Sequence, residues 1–420
     1  MLSKEQEITV NKFQEGKNIF ISGPGGCGKS FIIKHLCSLN SGKNISVCAM
    51  TGCAAILLEK AKTLHSFAGI NLAKGSNSDI IEKIKKKKSI VTNWKTVDCL
   101  IIDEVSMLSK QILELLNDVA KTIRRNNKIM GGIQVIFSGD FYQLPPVSGD
   151  PFCFESDLWD EIFTPDCHII YDKIFRQNDT TFQNILNQIR VGKLNENNKK
   201  ILQNLSEKPN LRGVELYPIK ALVNNINKIQ YSKLDNNEYS FSIIKNINCS
   251  EKIKSFELEN EINNLIRSSN WEETIYFKKG SIVMCTSNID IAKGICNGSQ
   301  GEILNFYNGL PCVRFYNGEI RVMNRHIIKS EIYDNVSISQ IPLILSWATT
   351  IHKIQGSTLE NAIIDIGNNI FTYGQTYVAL SRLKSFDGLS IKNFSPEKIK
   401  VNPIVSKFYQ KLKNKNNLNR

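Results

Sequence analysis

Residues Gly23 to Ser30 read GPGGCGKS, a glycine-rich turn closed by a lysine and a serine. Glycines at this spacing let backbone N–H groups converge on phosphate oxygens. Gly23, Pro24, Gly25, Gly26, Cys27 and Gly28 would form the cradle, Lys29 would reach the β and γ phosphates, and Ser30 would ligate Mg2+. Cys27 reads as a small filler within the loop. Some 75 residues on, LIIDEVSM places Asp103 and Glu104 together; the first would hold Mg2+ through water and the second would orient or deprotonate an attacking water. Gln143, in GDFYQLPPV, is placed to sense a γ-phosphate, and Arg176 (DKIFRQND) and Arg382 (YVALSRLKS) are candidates to neutralise transition-state charge from across a cleft. Alone, an acid pair after an apolar run is a solvated strand end and a single arginine is a surface residue. The glycine loop upstream is what gives them a shared task, the handling of a nucleoside triphosphate.

These residues need rigid supports. NIFIS (18–22) reads as a strand, FIIKHLCSL as the helix after the loop, and VDCLIID (97–103) and GIQVIFSGD (132–140) as further buried strands. Continuous apolar strands separated by helix-compatible stretches predict a parallel α/β sheet covered on both faces, with ligands beyond the carboxyl ends of the strands. Residues 66–96 break the pattern as a polar insertion containing Lys83 and Lys85 to Lys88, either a solvated face or a contact to a charged backbone. From 241 to 337, β-like runs alternate with the turn signals Asn297-Gly298, Asn308-Gly309 and Asn317-Gly318, which predicts a small β-barrel. IPLILSWATTIHKIQG and NAIIDIG then return to buried-strand texture. The expected division is a first α/β domain over 1–172, a second over 173–240 and 338–420, and the barrel inserted in the second. The acid-free tail from Pro403 to Arg420 reads as a frayed electrostatic tether.

At about 150 residues per domain, 420 residues allow two to four domains. Hydrophobic residues at 41% and charged residues at 22% exclude a disordered, collagen-like or coiled-coil chain. The balance of 53 Lys and Arg against 40 Asp and Glu, net +13, favours a polyanionic partner, nucleic acid before an anionic membrane surface. Eleven cysteines without a CxxC pair point to a reducing, intracellular setting. Five scattered histidines give no protein-ligated transition-metal site. Neither a secretory leader nor a membrane-spanning stretch is readable.

LSKEQ (2–6), GPGGCGKS, TGCAAILL (51–58), TLHSFAGI (63–70), IIDEVSM (101–107), GGIQVIFSGDFYQLPPV (131–147), IFRQ (174–177), SWATTIHKIQGSTL (346–359) and YGQTYVALSR (373–382) occur in this order. From Leu2 to about Ser385 the chain resembles superfamily 1B DNA helicases, most of all the petite-integration-frequency (Pif) family, whose relatives include the RecD-type enzymes. The resemblance implies two RecA-like P-loop lobes, a strand-separating wedge at 66–96 and an SH3-like accessory domain at 241–337. It implies an ATP- and Mg2+-dependent helicase moving 5′ to 3′ on single-stranded DNA and opening duplex or forked DNA. Such an enzyme serves replication, repair, recombination or telomere and genome maintenance as a monomer, with no membrane partner. Cytoplasm, nucleus and a viral replication site all stay open.

By the same resemblance Gln6 would read adenine, Gly356 would join the nucleotide site, and Gln143, Arg176 and Arg382 would meet the γ-phosphate, the two arginines from the second lobe. Thr51, Gly52, His65, Phe67, Thr350, His352 and Gln355 would line the single-strand track. His65 and His352 have interior hydrogen bonding as their alternative use, and Phe67 and Trp347 have burial. The chain departs from the family where AKTIRR puts Lys121 at a position usually held by arginine, leaving Arg124 or Arg125 to serve the second, and regulation through long flanking extensions is not expected. Two other classes compete: a nucleotide-switched single-strand-binding ATPase or translocase that separates nothing, and a small-molecule phosphotransferase.

Overall fold

A computed structural model describes residues 2–39, 41–58, 61–70, 75–205, 213–247, 255–269, 271–290, 293–330, 333 and 335–418. The first lobe is built on six parallel strands: β1 (Ile19–Ser22), β2 (Ile45–Ala49), β3 (Lys62–Thr63), β4 (Cys99–Asp103), β5 (Gln134–Gly139) and β6 (His168–Ile170). Their order in the sheet is β3-β2-β4-β5-β1-β6, with all pairs parallel. Every residue of β1, β4 and β5 is buried, because both faces of the sheet are covered. Alternation divides the strands between two cores. Phe20, Leu100, Ile102 and Phe137 enter one cluster, while Ile19, Ile21, Cys99, Ile101 and Ile136 enter the other on the opposite face.

Local chemistry sets the helix ends. Ser3 and Gln6 form a reciprocal capping box that starts helix Lys4–Gln14, which accounts for LSKEQ in physical terms. Ser109 caps Lys110–Arg124, whose buried stripe includes Leu113, Leu116, Ala120 and Ile123. At its end Arg124 donates to the carbonyls of Gly131, Trp94 and Val97, so this arginine ties elements of the first lobe together. In the 66–96 segment two helices, Asn77–Lys85 and Lys88–Thr96, bury Ile80, Ile84, Ile90 and Trp94 against the first core. Lys83, Lys85, Lys86 and Lys88 face solvent.

The second parallel sheet has the order Ala348–Thr350, Val214–Tyr217, Ala362–Ile366, Leu389–Phe394. Between its strands the chain turns antiparallel. A five-stranded sheet (Ile282–Cys285, Gln300–Tyr307, Leu310–Phe315, Ile320–Val322, Leu343–Leu345) lies beside a two-stranded and a three-stranded one, with the helix Ser255–Ser269 among them. Asn308 and Gly309 both take positive φ, 49° and 75°, as a tight Asn-Gly hairpin turn demands. Two boundaries differ from expectation. Leu343–Leu345, expected in the second parallel lobe, pairs antiparallel with Ile282–Cys285, because Leu343 and Leu345 fill the core under the five-stranded sheet while Ile344 packs against the second lobe's core. The C-terminal segment is no frayed tether: Pro403–Leu418 is a helix. Its Val405, Tyr409 and Leu412 are buried in the first lobe's core beside Phe20 and Phe141. Periodic apolar residues under a basic surface concealed that packing. No described helix is long and apolar enough to cross a membrane.

The lobes are joined by a buried ion pair. Arg190, at the end of helix Thr180–Arg190, donates two hydrogen bonds to Asp140 just past β5, at 2.7 and 2.9 Å, and packs over the Tyr142 ring. Burial works against charge on Arg190, and Asp140 outweighs it, so the guanidinium is held above its ordinary range. Asp140 is fully buried. Arg190→Met, which strands that carboxylate, should therefore cost about 3–5 kcal/mol of stability. Urea denaturation of both proteins checks this, and a loss below about 1 kcal/mol would mean the pair is not holding the lobes.

Candidate functional site: an interlobe phosphate cleft

The carboxyl edge of the first sheet presents everything the glycine loop needs. The loop leaves β1 and enters helix Lys29–Ser38 through Gly28, whose φ of 86° suits only glycine well. At Gly26 a Cβ would come 2.5 Å from the Cβ of Arg176, so the connector after β6 lies directly against the loop. The Gly25 N–H donates to Tyr377 Oη at 2.7 Å, and Lys29 Nζ donates to the carbonyls of Gly23 and Pro24 at 2.7 and 3.0 Å. Lys29 and an amide of the loop are thus held by groups that an entering phosphate can replace.

Asp103 ends β4 and Glu104 follows in the left-handed region, φ 57° and ψ 41°. Such a conformation is uncommon for a side-chain-bearing residue. Ser30 Oγ lies 3.5 Å from Asp103 Oδ2, and Ser138 donates to Asp103 Oδ1 at 2.7 Å. A serine hydroxyl and a carboxylate are hard oxygen donors that fit Mg2+ alongside phosphate oxygens and water. Among the described residues no cluster of three His, Cys, Asp or Glu side chains could hold a metal by itself. Burial first, and the neighbouring Glu104 charge second, push the Asp103 carboxyl up to about 6, despite the Ser138 hydrogen bond and Lys29.

The expected γ-phosphate residues converge from three directions. Gln143 is buried with Oε1 unpartnered among the described residues, and its backbone carbonyl packs against Gly374 of the second lobe. Arg382 is 2% exposed, bonded through Nε to Val378 O and through Nη2 to Ser381 Oγ, beside Gly25. Arg176 was expected from the second lobe. It instead lies on the connector over the loop, where the backbone N–H of Phe175 bonds Gly26 O, and it reaches across to Ser381 O at 2.7 Å. Burial and then the Arg382 charge lower Arg176 to about 9; burial also lowers Arg382. Two guanidiniums are held close together with their charge incompletely matched, an arrangement an anion would relieve.

At the base end, Gln6 is buried, its Oε1 accepting from Ser3 N–H and its Nε2 close to Gly28. The half-exposed Phe175 ring borders the same spot, under Lys173. Gly356 takes φ 86° in the turn after Gln355.

The residues expected on a strand track follow β2, β3 and Ala348–Thr350. Thr51 caps the helix beginning at Gly52, His65 is partly buried in Leu64–Ala68, and Thr350 Oγ1 accepts from Lys353 N–H. Burial lowers the affinity of His65 and His352 for protons, favouring the neutral imidazole at both. One expectation fails. Phe67 is 2% exposed with its ring 5.3 Å from Trp94, so it belongs to the core and cannot stack on a base. Gln355, on the turn that also carries His352, is 2% exposed and donates to Glu104 Oε2 at 3.0 Å across the cleft.

Sequence reasoning missed Tyr377, Arg190 and Phe175. It also missed Phe371, 66% exposed and stacked on His352 at 6.0 Å. Tyr377 lies on the helix Gln375–Leu380, five residues before Arg382, which falls past the helix end; its place at the loop, like those of the others, depends on tertiary approach.

The raised value of Asp103 has a sign that can be checked. The folded chain keeps a proton that the unfolded chain releases between about pH 4 and 6, so this group's contribution to stability falls as pH rises through that window. Asp103→Asn should then stabilise the nucleotide-free chain at pH 7.5 by about 1–3 kcal/mol and be nearly neutral near pH 4. Thermal melts at the two pH values decide it; a variant less stable at both would refute the burial argument.

Residues 1–200 match the PIF1-like helicase family. The ATP-dependent DNA helicase Pif1 of Bdellovibrio bacteriovorus is 31% identical over 97% of this chain and 92% of its own length. The crystal structure of Pif1 helicase from Candida albicans superposes with a TM-score of 0.83 at 32% identity, covering 98% of this chain and 99% of that one. The Bacteroides Pif1 structure bound to ssDNA gives a TM-score of 0.71 at 27% identity, covering 99% and 98%. Of the PIF1 helicases of Xenopus laevis and Danio rerio, 32% and 33% identical, this chain spans 64% of the length. With these matches running across both lobes, and the loop, the acid pair and the arginines meeting in one cleft, the chain belongs to the PIF1-like helicase family.

Proposed function

We propose that the chain is an ATP-dependent DNA helicase that moves 5′ to 3′ along a single strand and separates duplex or forked DNA. The observation that carries this reading is that one cleft draws on both lobes: loop amides, Lys29, Asp103 and Glu104 on one side, Arg382 and Tyr377 on the other. A cleft shared in this way turns phosphate chemistry into lobe movement. The net charge of +13 and the single-strand complex of the Bacteroides relative support DNA as the partner. The order of the motifs, through family resemblance, supports the direction.

In this mechanism Lys29 exchanges the Gly23 and Pro24 carbonyls for β and γ phosphate oxygens, and Gly25 N–H leaves Tyr377 for phosphate. Gln6 and Phe175 hold the base by an amide and a ring face. Ser30 and Asp103 would hold Mg2+, which when bound supplies neutralisation of the phosphate charge. Glu104 takes a proton from the attacking water, Gln143 senses the γ-phosphate, and Arg176 and Arg382 stabilise the charge that spreads over the transferring group. Closure then changes the grip of Thr51, Gly52 and His65 on one lobe relative to Thr350 and His352 on the other. We assign the helical pair within 66–96, with its solvent-facing lysines, to strand separation, and the antiparallel region to the SH3-like accessory role. Replication or repair forks are the proposed setting, with the protein acting as a monomer.

Two outcomes test the reading. Lys29→Ala should abolish hydrolysis and unwinding while single-strand affinity stays within a few fold. Arg382→Ala should lower kcat roughly a thousand-fold with little change in KM for ATP. The assay is steady-state ATPase alongside unwinding of duplexes carrying a 5′ or a 3′ single-stranded tail. Opening of the 5′-tailed duplex alone is expected. Stimulated hydrolysis with neither duplex opened would replace the helicase by a translocase or switch, and an unchanged kcat in Arg382→Ala would remove its role.

A further inference from the structure

Gln355 sits in the turn that links the strand Ala348–Thr350 to the rest of the second lobe, between His352 and Gly356. Its Nε2–H crosses the cleft to Glu104 Oε2 at 3.0 Å. The orientation of the amide follows from the partner, because a carboxylate only accepts and would repel Oε1. Among the described residues, that leaves Oε1 buried with no donor. Most buried side-chain polar atoms find partners, and this amide spends its donor on the proposed general base while its other end stays unpaired. Glu104 also sits in a left-handed turn outside the strand, so its carboxylate depends on a contact for its direction.

We propose that Gln355 is a positioning residue for hydrolysis, holding the Glu104 carboxylate toward the attacking water, and not a nucleic-acid contact. The inference rests on the ATPase reading above. The turn that carries Gln355 also carries His352 and begins at Thr350, so a strand seated on those two residues acts on Glu104 through a single turn. Hydrolysis itself balances in the ordinary way: water oxygen bonds to the γ-phosphorus, the bond to the ADP oxygen breaks, and the water proton passes to Glu104.

The test is a double-mutant cycle in the full chain, read as ATPase at saturating single-stranded DNA. Gln355→Met, close in volume, should lower kcat ten- to a hundred-fold while KM for ATP and the half-activating DNA concentration stay within three-fold. In a Glu104→Gln background the same change should cost less than two-fold, because the carboxylate it positions is gone. A ten-fold rise in half-activating DNA with kcat restored at saturation would make Gln355 a strand contact and overturn the proposal. Full multiplicative loss in the Glu104→Gln background would overturn it as well. Should Gln355→Met fail to fold, Gln355→Leu removes the donor without adding charge, and the same split between kcat and DNA activation is expected. Absence of DNA stimulation in the unmodified protein would count against the helicase reading alone, since the cycle can then be read on basal hydrolysis.

Discussion

Buried positive charge at the lobe boundary is the constraint around which the rest of the structure is arranged. Arg382 lies almost wholly out of water and Arg176 lies beside it, both lowered by burial. Their hydrogen bonds go mainly to carbonyl and hydroxyl oxygens of the helix end at Val378 and Ser381. Neutral acceptors solvate a guanidinium only in part, so the site favours an anion between the lobes. The opposite wall carries the complementary strain, a carboxyl raised by burial at Asp103 and a left-handed backbone at Glu104. Under the proposed ATPase function, triphosphate with Mg2+ would answer both, supplying negative charge to the arginines and positive charge to the acids.

Sheet order sets the proposed nucleotide site and the proposed strand track at different places along one edge. β1 and β4 deliver the glycine loop and the acid pair near the middle of the edge, while β2 and β3 deliver Thr51 and His65 at its far end. The second lobe repeats the division: Tyr377 and Arg382 face the loop, and Thr350 and His352 follow a strand of the second sheet. Between them the Asp140–Arg190 pair and the Tyr409 hydroxyl, bonded to Ser22 and to the backbone of Phe141, anchor the lobes behind the cleft. A fixed rear and a ligand-dependent front are what a hinge requires.

Much of this was legible without coordinates, for physical reasons. The loop, the acid pair and β1, β4 and β5 are local in sequence, so residue type and period revealed them. LSKEQ was readable as a motif, and the capping box shows why those residues occur there. What stayed hidden depended on long-range approach. Phe67 and Trp94 look like any aromatics until the helices of the insertion fold onto the first core. The C-terminal helix hides its buried stripe under lysines, and Leu343–Leu345 has the apolar texture of a parallel strand while pairing antiparallel. Gln355 lay on a motif associated with the strand track, and its hydrogen bond to Glu104 across the cleft depends on the approach of the other lobe.

The central claim, that phosphate chemistry draws both arginines onto one anion, is tested most directly by melting the protein with Mg2+ and either ADP or ADP plus aluminium fluoride, a mimic of the transferring phosphoryl group. The account predicts a clearly larger gain in melting temperature with the mimic than with ADP, and loss of that difference in Arg176→Ala and in Arg382→Ala. Equal gains from the two ligands in the unmodified protein, or a difference that survives both substitutions, would contradict it.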